Sequence, residues 1–220
     1  MKKAIICFTR VPAPGRTKTR LMPLLSGEQC AALHTAFLQD IAAACSLVDA
    51  SLFVAHTPED DPAPLRTIFP DAADFFPQQG QDLGARMDHA ITRILSQSFD
   101  ACVLIGADLP LLTAGHLRAA FSALETADMT LGPTSDGGYY LIGLRRPCGE
   151  VFRGQEYSTA SVFENTMAAA KAAGLSCAAA PLCDDIDTPE DLSLLHRTIQ
   201  DHDSHTARCL RRFADLGVKL

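Results

Sequence analysis

Two rhythms of apolar and polar residues alternate along this chain. Short, nearly unbroken apolar runs occupy 3–9, 51–56, 73–76, 101–106, 129–132, 139–144 and 176–182, and these read as strands. Between them lie stretches with apolar residues at helical spacing, over 27–48, 64–69, 83–97, 113–126, 158–173 and from 188 onward. Within 83–97, Leu83, Met87, Ala90, Ile91, Ile94 and Leu95 fall on one helical face. Ser26 with Gln29 three residues on predicts a capping box, Ser158 reads as the cap of the helix ending near Ala173, and Pro189 suits a first helical turn. The run 101–106 has no polar face at all, as expected of a strand covered by helices on both sides. Strands alternating with helices predict an α/β fold, a mainly parallel sheet with helices on both faces. Residues 1–200 read as one domain. The tail 201–220 is polar at first and then helical through Phe213, and reads as a surface appendage or the contact of a homodimer.

Composition narrows the function classes. The chain has 220 residues, 47% of them apolar and 20% charged, enough for a full core. Its net charge of −7 disfavours nucleic acid as a partner but leaves room for a single nucleotide held by local bases. The apolar run 4–8 is too short for a signal segment and no later stretch is long enough to span a bilayer, so a cytoplasmic protein is expected. The eight cysteines form no C-x-x-C pair and sit mostly in apolar runs, which predicts buried thiols rather than metal or disulfide chemistry.

In parallel sheets ligands gather on the loops beyond the carboxyl ends of strands, and four such loops are unusual here. The first, Arg10 to Leu21, carries four bases; Gly15 and its neighbours could offer backbone N–H groups to a diphosphate while Lys18 and Arg20 neutralise it. It is neither a Walker A loop nor G-x-G-x-x-G, and a solvated basic loop fits the spacing equally well. The second, Gln78 to Met87, sets amides and glycines before a helix, suited either to a base or ribose or simply to a helix capped by Asp82. The third places Asp108 just past a buried strand, where a Mg²⁺ or Mn²⁺ bridging phosphates is favoured over a turn aspartate before Pro110. The fourth, Gly132 to Tyr140, is either a plain hairpin turn or a place where substrate approaches Gly137 and Gly138, with Asp136 or Tyr139 touching its hydroxyls. A last acidic cluster, Asp184 to Asp191, contains Asp187 as a helix cap; capping accounts for one or two of its five acids and a nearby cation for the rest.

The ordered set P-x-P-G-x-x-K-T-R-L (12–21), D-L-G-x-R-M (82–87), I-G-x-D-x-P (105–110), G-P-x-x-D-G-G-Y-Y-L-I-G-L (132–144) and D-I-D-T-x-E-D-L (185–192) resembles a bacterial family. It is the family of selenodomain-associated transferases, glycosyltransferase-like proteins of the nucleotide-diphospho-sugar transferase superfamily. More distantly the chain is similar to guanylyltransferases of molybdopterin and coenzyme F420-type pathways. The resemblance implies a Rossmann-like GT-A fold and a metal, Mg²⁺ or Mn²⁺, on Asp108 and Asp187. It also implies nucleotide binding by Pro14, Gly15, Arg16, Lys18 and Arg20, and by Gln81, Asp82, Gly84 and Arg86 of the second loop. Gly137, Gly138 and Tyr139 join the substrate site, and Asp108 and Asp136 are the catalytic candidates. The acid-any-acid motif usual in glycosyltransferases is reduced here to Asp108, because position 106 is glycine. The resulting expectation is metal-dependent glycosyl transfer from a nucleoside diphosphate sugar to an unknown acceptor. A nucleotidyltransferase using an NTP and releasing pyrophosphate comes second, and a catalytically degenerate nucleotide binder third.

Overall fold

A computed structural model gives the structure of the protein and describes residues 1–200 and 202–218. Strand β1 (Lys3–Phe8) lies inside a seven-stranded sheet, parallel to β2 (Ser51–His56) on one side and to β4 (Ala101–Ile105) on the other. Strand β3 (Asp74–Pro77) closes the β2 edge in parallel. Beyond β4 come β6 (Tyr139–Leu144), β5 (Met129–Pro133) and the edge strand β7 (Cys177–Ala179), giving the order β3-β2-β1-β4-β6-β5-β7. Only β6 is antiparallel to its neighbours. Its direction follows from chain length, since residues 134–138 are too few for the dozen or more that a parallel crossover needs. The turn is closed by Thr134 N–H to Gly138 O and Gly137 N–H to Thr134 O, so the Asp-Gly-Gly segment is a hairpin turn.

The apolar rhythm of the helices is satisfied on both faces of this sheet. On one, α3 (Leu83–Leu95) sets Met87, Ile91 and Ile94 against Ile6, Phe53 and Leu104. On the other, α1 (Gly27–Ser46) and α4 (Ala114–Ala123) cover Ile5, Val54 and Val103 with Leu38, Ile41, Leu117 and Phe121. Helix α2 (Ala63–Ile68) adds Leu65 to the second layer. The predicted capping box of α1 is present: Ser26 Oγ accepts from Gln29 N–H at 3.2 Å and Gln29 Oε1 accepts from Ser26 N–H at 2.7 Å.

Three expectations are corrected. Helix α5 (Val162–Ala172) starts after Ser158, which has a left-handed φ of 65° where a cap needs extended backbone, so Ser158 lies in the turn before it. The last strand ends at Ala179 rather than 182, because its partner β5 bulges at Gly132/Pro133 and Pro181 has no N–H to offer a ladder. The tail is no appendage. Helix α7 (His205–Asp215) buries Ala207, Leu210 and Phe213 against Leu33 and Phe37 of α1 and against Leu192 and Leu195 of α6 (Pro189–Thr198). Asp40 of α1 accepts from the first N–H groups of α7, His205 at 2.7 Å and Thr206 at 2.9 Å. Residues 201, 219 and 220 of the predicted tail lie outside the described residues. No described helix is long and apolar enough to cross a membrane.

Candidate active site

The chain leaves β1 toward β2 on one side of the sheet and leaves β4 toward β5 on the other. That reversal opens a crevice at the carboxyl ends of β1 and β4, where such sheets bind ligands. The basic loop after β1 and the Gly106–Pro110 loop after β4 form its two banks. The basic loop is folded on itself by Thr17, whose Oγ1 bonds Ala13 N–H and Ala13 O. It is pinned from outside by Asp60, which accepts from Val11 N–H at 3.2 Å, pairs with Arg16 at 3.0 Å and takes the Thr57 hydroxyl. Burial raises the Asp60 carboxyl, but these partners outweigh it and hold it below its ordinary value.

At the centre stands Lys18, its side chain only 3% exposed and its backbone left-handed at φ 52°, ψ 36°. Its ammonium touches Asp108 Oδ1 at 2.6 Å, Asp187 Oδ1 at 3.0 Å and the Ile186 carbonyl at 2.5 Å. The two acids lie far apart in the chain, and Ile186 N–H donates to Asp108 O at 2.9 Å, tying their loops together. Arg20 reaches Asp187 Oδ2 at 3.7 Å. Asp187 was expected as a helix cap, but Thr188 caps α6 and forms a capping box with Asp191. The Asp187 carboxylate is thereby free for Lys18 and Arg20.

The crevice has two chambers. The first, about 470 Å³, carries Arg10, Arg16, Lys18, Arg20 and Arg86 on its walls. The second, about 400 Å³, is lined by Asp136, Asp185 and apolar and aromatic side chains. Asp108, Asp187, Arg20 and the backbone of Gly106–Ala107 belong to both and form the partition.

Of the residues singled out from sequence, Arg16, Lys18, Arg20 and Arg86 line the first chamber, Asp136, Gly138 and Tyr139 the second, and Asp108 and Asp187 the partition. Pro14, Gly15, Gln81, Asp82, Gly84 and Gly137 line neither. Asp82 caps α3, accepting from Ala85 N–H at 2.7 Å. A Cβ on Gly84 would stand 2.7 Å from Phe152 O and 2.9 Å from the Tyr157 hydroxyl, so this glycine serves helix packing. Gly137 has φ 87° and no room beside Ala160 O. Gly15, at φ 70°, packs its N–H against the start of α1, 2.9 Å from where a Gly27 Cβ would sit.

Three features escaped sequence reasoning. His34, on helix α1, lines the first chamber, with Nδ1 3.8 Å from Asp108 Oδ1 and no hydrogen-bond partner for that atom. Its other nitrogen meets Thr9 Oγ1 and Arg10 O, and burial lowers its pKa to about 4, which keeps it neutral. Asp185, second in the run of acids, lines the second chamber; burial, then Asp187, Asp136 and Asp108, push it up to about 6. Its neighbour Asp184 instead holds Ser135 N–H and Oγ. Tyr157 stands opposite the loops that drew attention, and only the 152–158 turn brings it into the second chamber. Asp136 is held below its ordinary value by hydrogen bonds from the Thr134 hydroxyl and Gly138 N–H.

Two half-exposed carboxylates converging on one ammonium make a donor set that suits a hard divalent cation. Among the described residues no group of three or more His, Cys, Asp or Glu converges to hold a metal by itself. That fits Mg²⁺, which commonly takes one or two carboxylates and completes its shell with water and substrate phosphates.

The whole chain is similar to known proteins. A crystal structure from Desulfovibrio desulfuricans G20, described as a nucleotide-diphospho-sugar transferase, superposes with a TM-score of 0.89 at 33% identity, covering 98% of this chain and 97% of that one. The 2-phospho-L-lactate guanylyltransferase of Methanoregula boonei is 29% identical over 182 residues, 81% of this chain and 76% of the relative. A cytidylyltransferase from Leptospira borgpetersenii shares the fold, with a TM-score of 0.58 at 14% identity over 99% of this chain and 95% of its own. Residues 38–159, from the middle of α1 through Asp108 and Asp136, match the family described as an uncharacterized protein conserved in bacteria (DUF2064). The chain is a nucleotide-utilising transferase by these relationships, and it belongs to the DUF2064 family.

Proposed function

We propose that the protein is a nucleotidyltransferase: it binds an NTP in the first chamber, transfers the nucleotidyl group to an acceptor in the second, and releases pyrophosphate. The observation that carries this reading is the set of five cationic side chains around the first chamber, set against two carboxylates at the partition. A triphosphate needs that much positive charge; the diphosphate of a sugar nucleotide needs less. The guanylyl transfer of the Methanoregula relative supports the same class.

In this mechanism Arg10, Arg16 and Arg86 fix the phosphate chain from the open side of the chamber. Lys18 exchanges its carboxylate partners for phosphate oxygens, a move its 2.6 Å and 3.0 Å contacts leave short. Asp108 and Asp187 would hold Mg²⁺ or Mn²⁺, which when bound would offset phosphate charge. Arg20, on the partition, faces the α-phosphate where negative charge develops as the acceptor oxygen attacks. Neutral, buried His34 adds no positive charge beside Asp108.

Glycosyl transfer is the second reading, favoured by the description of the Desulfovibrio relative. The single acid of the loop after β4 weighs against it, since Gly106 supplies no second carboxylate there. Thermal unfolding against GTP, CTP, UTP and ATP, and against UDP-, GDP-, CDP- and dTDP-sugars, each with and without Mn²⁺, tests the binding step. A metal-dependent rise with one NTP, followed by pyrophosphate release, is the expected result. A rise with a sugar nucleotide alone and release of nucleoside diphosphate would establish the second reading, and binding without turnover for any pair would leave a degenerate binder.

A further inference from the structure

We propose that the second chamber selects as acceptor an uncharged or cationic alcohol with an apolar flank, and excludes phosphate and carboxylate acceptors. The proposal deepens the nucleotidyltransferase reading and rests on it for the identity of the donor. It is carried by how charge is divided across the partition. Among the described residues, the first chamber holds Arg10, Arg16, Lys18 and Arg86 to itself, whereas the second holds Asp136 and Asp185 to itself and shares Arg20 as its only cation. Arg20 already faces Asp187 at 3.7 Å and is claimed by the donor's phosphates. A phosphate monoester entering the second chamber would meet two further carboxylates with no cation left to pair with. Like charges forced together in this way oppose binding.

The rest of the lining fits an alcohol. Tyr139 and Tyr157 stand edge to face at 6.5 Å, and with Met87, Ile142 and Val162 they form an apolar floor. Tyr140 turns its hydroxyl away to the Pro181 carbonyl at 2.9 Å, so it too presents ring to the chamber. Asp136 commits one oxygen to Thr134 and Gly138, which fixes the carboxyl group and leaves its second oxygen to accept from a ligand hydroxyl. The step balances: the acceptor O–Pα bond forms as the bond between Pα and the β-phosphate oxygen breaks. Pyrophosphate leaves with its electron pair, and the hydroxyl proton passes to the Asp136 carboxylate and on to solvent.

The protein carries its own reporter for this chamber. It has no tryptophan, and its three tyrosines, Tyr139, Tyr140 and Tyr157, all line the second chamber. Tyrosine emission of the full chain is therefore measured with three quenchers: caesium, acrylamide and iodide. Relative to free N-acetyltyrosinamide, caesium and acrylamide are expected to quench at least about tenfold better than iodide, the scale of a like-charge contact. In Asp136→Asn/Asp185→Asn the preference should fall by about threefold or more; Asp185→Asn alone serves if the double variant does not fold. Equal quenching by iodide and caesium, or a preference the substitutions leave unchanged, overturns the proposal.

A second arm follows pyrophosphate release with Mg²⁺ and NTP for matched pairs: glycerol and glycerol 3-phosphate, ribitol and ribitol 5-phosphate, ethanolamine and phosphoethanolamine. The alcohol of a pair is expected to react faster, and a faster phosphate ester also overturns the proposal. Failure of any NTP to stabilise the protein would instead strike the donor assignment, and the quencher result stands apart from it.

Discussion

Lys18→Met is the perturbation that tests the partition most directly. One ammonium holds two carboxylates together. Removing it leaves Asp108 and Asp187 facing each other without a counter-charge. A unit charge pair at about 4 Å is worth ~4 kcal/mol at the effective dielectric of a protein surface region. Both carboxylates are slightly more than a third exposed, at 38% and 36%, so solvent screens a good part of this. A loss of about 2 kcal/mol is the reasonable figure, and for a chain of this size it lowers Tm by about 4–8 °C. Methionine keeps most of the stem's volume over the Phe37 ring, so lost packing contributes little. The loss should be recovered by Mn²⁺. An ion at 100 times its Kd stabilises by about 2.7 kcal/mol, and in the variant it no longer competes with an ammonium for the same oxygens. Thermal unfolding in EDTA and across a Mn²⁺ series reads both effects, while NTP affinity falls by about tenfold or more through the lost phosphate contact. The reasoning is refuted if the variant melts with the wild type in EDTA, or if Mn²⁺ stabilises the wild type at least as strongly as the variant.

Other perturbations separate site from scaffold. Arg86→Ala should weaken NTP binding by about tenfold with Tm almost unchanged, because its partner is a single exposed backbone carbonyl, that of Gly80. Gly84→Ala, in contrast, should cost about 1–3 kcal/mol by driving a methyl into Phe152 O and Tyr157, read as a Tm loss and a changed tyrosine spectrum. Truncation after residue 203 removes Leu210 and Phe213 from the α1–α6 cluster and should yield unstable or aggregated protein; a truncated chain with wild-type Tm would contradict the packing described. Asp185 has a folded pKa pushed up to about 6, above its unfolded value, so its charge destabilises the native state above that pH and is harmless where both states are protonated. Asp185→Asn should therefore raise Tm at about pH 7.5, with the gain fading toward about pH 4.

Much of the scaffold was legible because its signals are local. The unbroken run at Ala101–Ile105 declared a doubly covered strand, and Ser26 with Gln29 declared the start of α1. Lys18, Asp108 and Asp187 were visible as acids and bases placed just past strands, though nothing local says that one ammonium touches both carboxylates. Where contacts join distant segments, the sequence was silent or misleading. Gly84 and Gly137 look like glycines that admit a ligand, yet each makes room for a turn about 20 to 75 residues away, at Phe152–Tyr157 and at Ala160. His34 has the helical spacing of a core residue, and only the approach of β4 to α1 puts it beside Asp108. The tail looked detachable because its first residues are polar, while its burial depends on Leu33 and Phe37 on the outward face of α1.

The left-handed backbone at Lys18 links this scaffold to the chemistry. A non-glycine residue there costs about 1–2 kcal/mol, and such strain persists only where the surroundings over-determine it. Here Asp108, Asp187 and the Ile186 carbonyl supply that determination, and all three sit on loops that β4 and the segment before α6 deliver independently. The ammonium thus acts in the ligand-free protein as a stand-in for the cation the carboxylates would otherwise bind. It keeps the acids close, so the partition is assembled before either ligand arrives. A metal–nucleotide complex supplies both replacements at once, a divalent ion for the carboxylates and phosphate oxygens for the lysine. Either alone leaves one side unpaired: nucleotide without metal draws Lys18 off two carboxylates, and metal without nucleotide pushes a buried ammonium away with nothing to receive it. Metal and nucleotide should consequently bind with positive coupling in the wild type, and the coupling should shrink in Lys18→Met, where the exchange no longer takes place.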